Sequence, residues 1–332
     1  MLGGWLLGVD SGCARWSSRQ GEKPNGAPAS APDLNDSAKA RGRGTSQLDA
    51  GAPEGATPAN AGRRELTWSF AQGPFGPTDV AISIPIAPAG QRFPVLIALH
   101  GRGESVKGRQ RGARAWLDDY QLELAMSRLT APPLSAADFQ DFVSEARLLR
   151  LNQGLLEHPY AGLIVVCPSL ADVLKGESAF KEAEPLAKFL VDVLLPRVYA
   201  RTPALGTRAS TGIDGVSLGG RASLLVGLRR PLAFGSVGAL QAAIDQGEIE
   251  RFAELGALAR AQNPELNLRL LTSDEDYFLL VNRRLSSALE QRGVAHELTR
   301  VIGTHSYRFN KGPGALEMLL YHDRVLRGLP PP

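Results

Sequence analysis

The sequence lacks the features that define several large classes of protein. It has two cysteines in 332 residues, Cys13 and Cys167, which are too few for a disulfide framework. No apolar run reaches the roughly 18 residues of a membrane-spanning helix, so we expect no transmembrane span. Basic and acidic residues nearly balance, 37 against 34, and no basic cluster is present. The sequence therefore indicates no nucleic-acid partner.

Motifs for metals and nucleotides are also missing from the sequence. His296-Glu297 begins like the HExxH zinc motif, but Arg300 stands where the second histidine ligand belongs. Neither a GxGxxG dinucleotide motif nor a Walker phosphate loop occurs. We therefore predict no metal site and no cofactor.

The first 64 residues differ in composition from the rest of the chain. Between residues 17 and 64 the only large apolar side chains are Leu34 and Leu48. Such a segment cannot bury enough surface to offset its conformational entropy. We therefore predict a disordered Ala/Gly/Pro-rich linker over 14–64 and a folded domain over 65–332.

Residues 1–13 are a candidate remnant of a signal sequence. A short apolar stretch at 2–9 is followed by Ser11-Gly12-Cys13, an order that resembles a bacterial lipoprotein cleavage site, where the cysteine receives lipid. No positive residue precedes the stretch, and Asp10 stands where leucine is usual. Two alternatives stay open: an exported lipoprotein of the periplasm or cell envelope, anchored at Cys13, or a cytoplasmic protein with a ragged N-terminus.

Beyond residue 65, short β-rich runs alternate with longer helical patterns. Residues 66–70 and 80–86 are typical of antiparallel edge strands, whereas 93–100 is a continuous apolar run typical of a strand buried on both faces. Further strands are predicted at 163–166, 233–240, 266–271 and 297–302, and helices at 180–199, 218–229, 248–261, 277–291 and 314–326. This alternation predicts an α/β fold with a mostly parallel sheet and helices on both faces.

The string GVSLGG at 215–220 matches the nucleophile elbow G-x-S-x-G. In that motif the serine occupies a tight turn between a strand and a helix, so that its hydroxyl projects above the sheet. The bare pattern is common, but here an apolar stub precedes it and an amphipathic run follows it. We therefore predict Ser217 as a nucleophile, with a plain glycine-rich turn as the alternative.

A serine nucleophile needs a histidine base that is oriented by a carboxylate. Of the five histidines, His305 lies in a turn just after the last predicted strand. Asp274, Glu275 and Asp276 follow an earlier strand, and the residues alone leave open which acid turns toward His305. The order serine, acid, histidine is that of the α/β-hydrolase fold and differs from the orders of chymotrypsin and subtilisin.

An oxyanion hole would complete this chemistry, since charge that develops on a substrate carbonyl needs fixed donors. We predict the N–H of Leu218, the residue after the nucleophile, as one donor. The loop His100-Gly101-Arg102-Gly103 follows an earlier strand, and the N–H of Arg102 is the predicted second donor. A glycine-bounded turn with a structural histidine is the alternative for this loop.

Four segments together resemble the α/β-hydrolases of the esterase D and enterochelin-esterase type: ALHGRGES at 98–105, GVSLGG at 215–220, TSDEDYF at 272–278 and GTHSY at 303–307. The resemblance covers most of residues 93–326. It implies a serine esterase that cleaves carboxylic esters or thioesters through an acyl-serine intermediate, without a cofactor. It also implies Asp276 as the acid, although Ser273 stands where the family commonly has glycine, and Asp274 stays the rival.

Residues 104–161 form an insertion that is longer than the sheet needs. The insertion would either cover the site as a cap that sets specificity or pack as a helical surface elaboration. Gln241 is a further candidate for the pocket lining. The expected partner is a small-molecule ester; an acyltransferase, a serine peptidase and a catalytically silent binding protein on the same scaffold are the alternative functions.

Overall fold

The structure is a computed structural model that describes residues 62–86, 88–172 and 179–332. The predicted signal remnant with Cys13, and the predicted linker as far as residue 61, lie outside the described residues. The fold begins slightly earlier than the predicted boundary at residue 65, because the first strand starts at Arg63. The Arg63 side chain donates hydrogen bonds to Ser83 Oγ (2.7 Å) and to the Leu163 carbonyl (2.8 Å), which ties this end of the strand to the sheet.

Eight strands form one sheet in the order β1-β2-β4-β3-β5-β6-β7-β8. The strands β1 and β2 are antiparallel to each other, β2 is antiparallel to β4, and all the remaining pairs are parallel. The predicted mostly parallel sheet with an antiparallel edge is confirmed. Its strands are β1 (Arg63–Gly73), β2 (Gly76–Pro85), β3 (Val95–Leu99), β4 (Ile164–Pro168), β5 (Thr211–Gly215), β6 (Ser236–Leu240), β7 (Asn267–Glu275) and β8 (Glu297–Thr304).

Helices connect the parallel strands and cover both faces of the sheet, as the alternating pattern predicted. They are α1 (Arg102–Ser105), α2 (Arg109–Arg114), α3 (Leu122–Thr130), α4 (Glu145–Glu157), α5 (Ala179–Lys188), α6 (Leu195–Arg201), α7 (Leu218–Gly227), α8 (Ile249–Gln262), α9 (Leu279–Gln291), α10 (Tyr307–Phe309) and α11 (Ala315–Val325). None of the helices in the described part of the chain combines the length and the apolar character needed to cross a bilayer.

The hydrophobic core is divided by the sheet into two layers. Successive side chains of a strand point to opposite faces, and β3 shows this directly. Val95 and Ile97 pack in one layer, with residues of α5 to α9, whereas Leu96 and Ala98 pack in the other. Every residue of β3 is buried, which explains its continuous apolar sequence.

The helix predicted over 180–199 is one helical run that widens in the middle. The run begins as α5, passes through a π-helical segment at Phe189–Leu194 and continues as α6. Pro196 lies just after the widened segment. Because proline has no N–H to donate to the carbonyl four residues earlier, a local change of helical hydrogen bonding at this point is expected.

The predicted insertion at 104–161 forms a helical layer on the second face of the sheet. Trp116, Met126 and Leu155 are buried there together with apolar residues of α11, such as Leu319. The segment therefore completes one of the two core layers. Its action as a cap stays a prediction.

Candidate active site

The loops that carry the predicted site residues leave the sheet at one edge. The strands β3, β5, β7 and β8 are parallel, so their carboxyl ends lie on the same side of the sheet. In sheets of this kind, ligands bind beyond the carboxyl ends of the strands. The oxyanion loop at 100–103 follows β3, and Ser217, Asp276 and His305 follow β5, β7 and β8.

Ser217 occupies a strained turn between β5 and α7. Its φ of 58° and ψ of −115° lie in a region that side-chain-bearing residues rarely adopt. The turn needs glycine on both sides, because a Cβ at Gly215 would lie 2.5 Å from the Gly219 carbonyl and a Cβ at Gly219 would lie 2.3 Å from the Leu99 carbonyl oxygen. The elbow geometry that the motif predicted is therefore present around Ser217.

A chain of hydrogen bonds joins Ser217 to a carboxylate through His305. The Nε2 atom of His305 lies 3.1 Å from Ser217 Oγ, and its Nδ1 atom lies 2.8 Å from Asp276 Oδ1. Asp276 is buried, and its other oxygen accepts a hydrogen bond from the Thr272 hydroxyl (2.7 Å). A carboxylate can only accept here, so Nδ1 carries the proton and Nε2 is free to accept the serine proton.

The rival acid, Asp274, faces away from this chain. It pairs with the exposed Arg300 at 3.0 Å. The strand β7 extends to Glu275, four residues beyond the predicted end at Leu271. Asp274 is therefore still within the strand, whereas Asp276 is the first residue after it and turns toward His305.

The two predicted oxyanion donors both lie at the start of a helix. Leu218 is the first residue of α7, and Arg102 is the first residue of α1. The first N–H groups of a helix have no partner within the helix. The loop at 100–103 also lies against Ser217, because a Cβ at Gly101 would be 3.8 Å from Ser217 Cβ. This arrangement can supply two donors to a developing oxyanion.

The buried side chain of His100 joins the oxyanion loop to the segment after β4. Its Nδ1 donates to the Gly101 carbonyl (2.8 Å), and its Nε2 accepts from the Leu170 N–H (2.8 Å). Burial lowers the pKa of the His100 side chain, which keeps the ring neutral and preserves this pair of bonds. The structural role that the sequence left open for this histidine is the one its contacts support.

The comparisons with known proteins agree with this geometry. Residues 171–309 match the sequence profile of the Esterase family. This segment is therefore similar to esterases, and the chain has the α/β-hydrolase fold. A search of curated protein sequences finds no significant match.

Solved structures of esterases share the fold of the chain at low sequence identity. A ferulic acid esterase matches with a TM-score of 0.59 and 16% identity, over 80% of this chain and 99% of that one. The S-formylglutathione hydrolase of Staphylococcus aureus matches with a TM-score of 0.58 and 12% identity, over 80% and 100%. An S-formylglutathione hydrolase of Agrobacterium tumefaciens matches with a TM-score of 0.52 and 15% identity, over 79% and 95%.

A cavity of about 230 Å³ lies at Ser217 and His305. Of the insertion at 104–161, only Glu104 and Tyr120 line this cavity. Tyr307 and Asn310 also line it. Larger cavities of about 380 and 370 Å³ occur elsewhere in the described part of the chain, but neither Ser217 nor His305 lines them. The cavity that adjoins the serine is therefore the candidate substrate pocket.

Gln241 does not line this cavity. Its side chain is fully buried, and its Nε2 donates to Ser273 Oγ (2.6 Å) and to the Thr304 carbonyl (3.2 Å). Gln241 was predicted to line the pocket, but its contacts support a structural role instead. Its amide joins the end of β7 to the turn that carries His305.

Three residues at this pocket were not predicted from the sequence. Glu104 is buried at the pocket, and the hydroxyls of Tyr120 and Tyr307 both donate hydrogen bonds to its carboxylate. The one available signal was an acidic residue directly after the HGRG loop. Its partners lie 16 and 203 positions further along the chain, so no local pattern reveals them.

The described ranges of the chain contain no cluster of three or more His, Cys, Asp or Glu side chains that could bind a metal ion. Cys167 is buried in β4, where burial raises the pKa of its thiol. The thiol is therefore held in its protonated form.

Proposed function

We propose that this esterase hydrolyses carboxylic esters or thioesters of small molecules through an acyl-serine intermediate on Ser217. The observation that carries the proposal is the chain of hydrogen bonds from Ser217 Oγ through His305 to Asp276. The chain supports a role for His305 as the base and for Asp276 as the acid that orients it.

In the first half of the reaction, Ser217 Oγ attacks the carbonyl carbon and its proton passes to His305 Nε2. The carbonyl oxygen becomes negative and accepts hydrogen bonds from the N–H groups of Leu218 and Arg102. Asp276 stabilises the imidazolium that forms. His305 then gives the proton to the leaving alcohol or thiol as the bond to the acyl carbon breaks.

In the second half, water replaces the alcohol. His305 removes a proton from the water, whose oxygen attacks the acyl-serine carbon, and the same two N–H groups donate hydrogen bonds to the oxyanion. The bond between Ser217 Oγ and the acyl carbon breaks, Ser217 regains its proton from His305, and the carboxylic acid leaves. Each step uses groups of this chain and water alone.

A panel of p-nitrophenyl esters from acetate to laurate tests the proposal. We expect hydrolysis of at least one member, with a loss of about 10³-fold or more in Ser217→Ala, because removing the nucleophile of such a site leaves only binding and the oxyanion hole. Added alcohols separate hydrolysis from acyl transfer, since a transferase would form the new ester. Equal rates in the wild type and Ser217→Ala would contradict the proposal.

A lipid anchor on Cys13 is a separate proposal. It is supported by the small residues Ser11 and Gly12, which precede the cysteine as in a lipoprotein cleavage site. Mass spectrometry of the protein from its native host is expected to give an N-terminal Cys13 that carries a diacylglyceryl group. A continuous peptide from Met1 through an unmodified Cys13 would contradict it.

A further inference from the structure

A buried carboxylate lies at the substrate pocket without a role in the reaction described above. Glu104 is 2% exposed, and it lines the same cavity as Ser217 and His305. Burying a charged group is costly unless hydrogen bonds satisfy it, and an apolar side chain would fill the same space at lower cost. The partners of Glu104 therefore indicate what the carboxylate is for.

One side of the carboxylate holds the oxyanion loop. The Tyr120 hydroxyl donates to Glu104 Oε2, and the same hydroxyl oxygen accepts the N–H of Gly101 at 3.2 Å. A Cβ at Gly101 would lie 3.2 Å from the Tyr120 hydroxyl and 3.3 Å from Glu104 Oε2. The loop is therefore packed directly against Tyr120 and Glu104, with Arg102 as its next residue.

The other side of the carboxylate holds the loop of the histidine. The Tyr307 hydroxyl donates to Glu104 Oε1, and Tyr307 is the second residue after His305. Lys107 Nζ lies 3.1 Å from the Tyr307 hydroxyl and 3.5 Å from Glu104 Oε1. The same Nζ donates to Asp119 at 2.9 Å, which anchors the lysine.

The protonation states of these groups suit this arrangement. Burial raises the pKa of Tyr120 and of Tyr307, and the hydrogen bond to Asp119 raises the pKa of Lys107. At neutral pH both tyrosines therefore carry their protons and Lys107 carries its positive charge. A carboxylate that accepts from both hydroxyls is satisfied on each of its oxygens.

We propose that Glu104 is a positioning residue, which fixes the oxyanion loop relative to His305 by accepting one tyrosine hydroxyl from each side. This inference rests on the proposed function. Glu104 contacts neither of the triad side chains that exchange the proton, and it acts through Tyr120 on Gly101 and through Tyr307 on the turn after β8. The geometry it fixes is needed most in the transition state, where the oxyanion and the imidazolium exist together.

The test is a double-mutant cycle with Glu104→Gln and Tyr307→Phe, measured on the best p-nitrophenyl ester. Each single variant is expected to lower kcat by about 10- to 100-fold and to change KM by less than about 3-fold, because transition-state alignment is lost while ground-state binding is kept. The double variant is expected to lose little more than the worse single variant, since both changes break the same connection.

The matched control is Asp118→Asn, which removes an exposed acid that pairs with Arg114 outside this cluster. We expect its kcat to stay within about 2-fold of the wild type, as for most surface changes. Tyr307 is 44% exposed, so Tyr307→Phe is expected to fold and to carry the test even if Glu104→Gln does not.

The proposal is overturned if both single variants keep the wild-type kcat, if their losses appear in KM alone, or if the losses multiply in the double variant. These outcomes differ from a failure of the proposed function. In that case the wild type itself would hydrolyse none of the esters.

Discussion

Two aspartates follow each other closely at the end of β7, and only one of them contacts His305. Asp276 Oδ1 lies 2.8 Å from His305 Nδ1, whereas Asp274 pairs with Arg300 at 3.0 Å. Asp276 also accepts the Thr272 hydroxyl and the Phe278 N–H, which fix its orientation. At the scale of single residues, these contacts support Asp276 as the partner of His305 and Asp274 as a member of a surface ion pair.

Replacing each acid by asparagine separates these tasks. Asp276→Asn is expected to lower kcat by about 10³- to 10⁴-fold, because an amide can donate to Nδ1 and so favour the wrong histidine tautomer. Asp274→Asn removes a surface ion pair and is expected to leave kcat within about 2-fold. Steady-state kinetics on one ester measures both, and a larger loss in Asp274→Asn would refute the assignment.

The sequence predicted Ser217 as the nucleophile and His305 as the base, but the residues alone did not decide between the acids. Each has a separate signal: a G-x-S-x-G motif for the serine and a turn after a strand for the histidine. The choice of acid depends on where β7 ends and on its pairing with β8, which is irregular between Ser273 and Glu275. Such pairing is a long-range property, and no local pattern encodes it.

At the scale of elements, the turn between β5 and α7 fixes the position of Ser217. The turn brings Gly219 so close to β3 that a Cβ there would lie 2.3 Å from the Leu99 carbonyl oxygen and 2.6 Å from that of His100. Both contacts are with backbone atoms of the strand and of the oxyanion loop. They cannot be relieved by a change of side-chain rotamer.

Gly219→Ala is therefore expected to displace α7 or the oxyanion loop. We expect a loss on the order of 3 kcal/mol in unfolding free energy, typical of overpacking, together with a loss of most esterase activity. Gly247→Ala is the matched control, since a Cβ there would meet no atom within 4 Å. Urea denaturation measures both, and equal stabilities would contradict this account of the elbow.

The strand β5 itself shows why part of the fold could not be predicted. Its sequence Thr211-Gly212-Ile213-Asp214-Gly215 reads as a short apolar stub, although all five residues are buried. Gly212 makes room for His322, because a Cβ there would lie 2.7 Å from the His322 ring. The side chains that pack against this strand, such as that of His322, are distant in the sequence.

At the scale of the whole molecule, buried histidines make stability depend on pH. His322 is fully buried in α11, and its ring nitrogens contact Asp214 Oδ2 (2.9 Å) and Ser236 Oγ (2.7 Å). Arg269 lies 3.7 Å from the same Asp214 oxygen and packs on Tyr321. Burial lowers the pKa of His322, as it does that of His100.

The sign of the resulting pH dependence follows from proton binding. In the unfolded chain a histidine takes up a proton near pH ~6.5, but the folded protein keeps both rings neutral to lower pH. The free energy of unfolding is therefore expected to fall as the pH drops below about 6.5.

Urea denaturation at pH 7.5, 6.5, 5.5 and 5.0 measures this slope. His322→Asn is expected to be less stable at pH 7.5 and to show a shallower dependence on pH than the wild type. A free energy of unfolding that stays constant or rises between pH 6.5 and 5.0 would contradict the account.

The central claim is that Ser217 is an activated nucleophile, and covalent labelling tests it most directly. Incubation with a fluorophosphonate probe, followed by intact mass and peptide mapping, is expected to give one adduct per chain, located on Ser217. Ser217→Ala is expected to stay unlabelled, because among the serines that the structure describes only Ser217 has the contact with His305 Nε2 that activates a hydroxyl. An unlabelled wild type, or equal labelling of Ser217→Ala, would contradict the account.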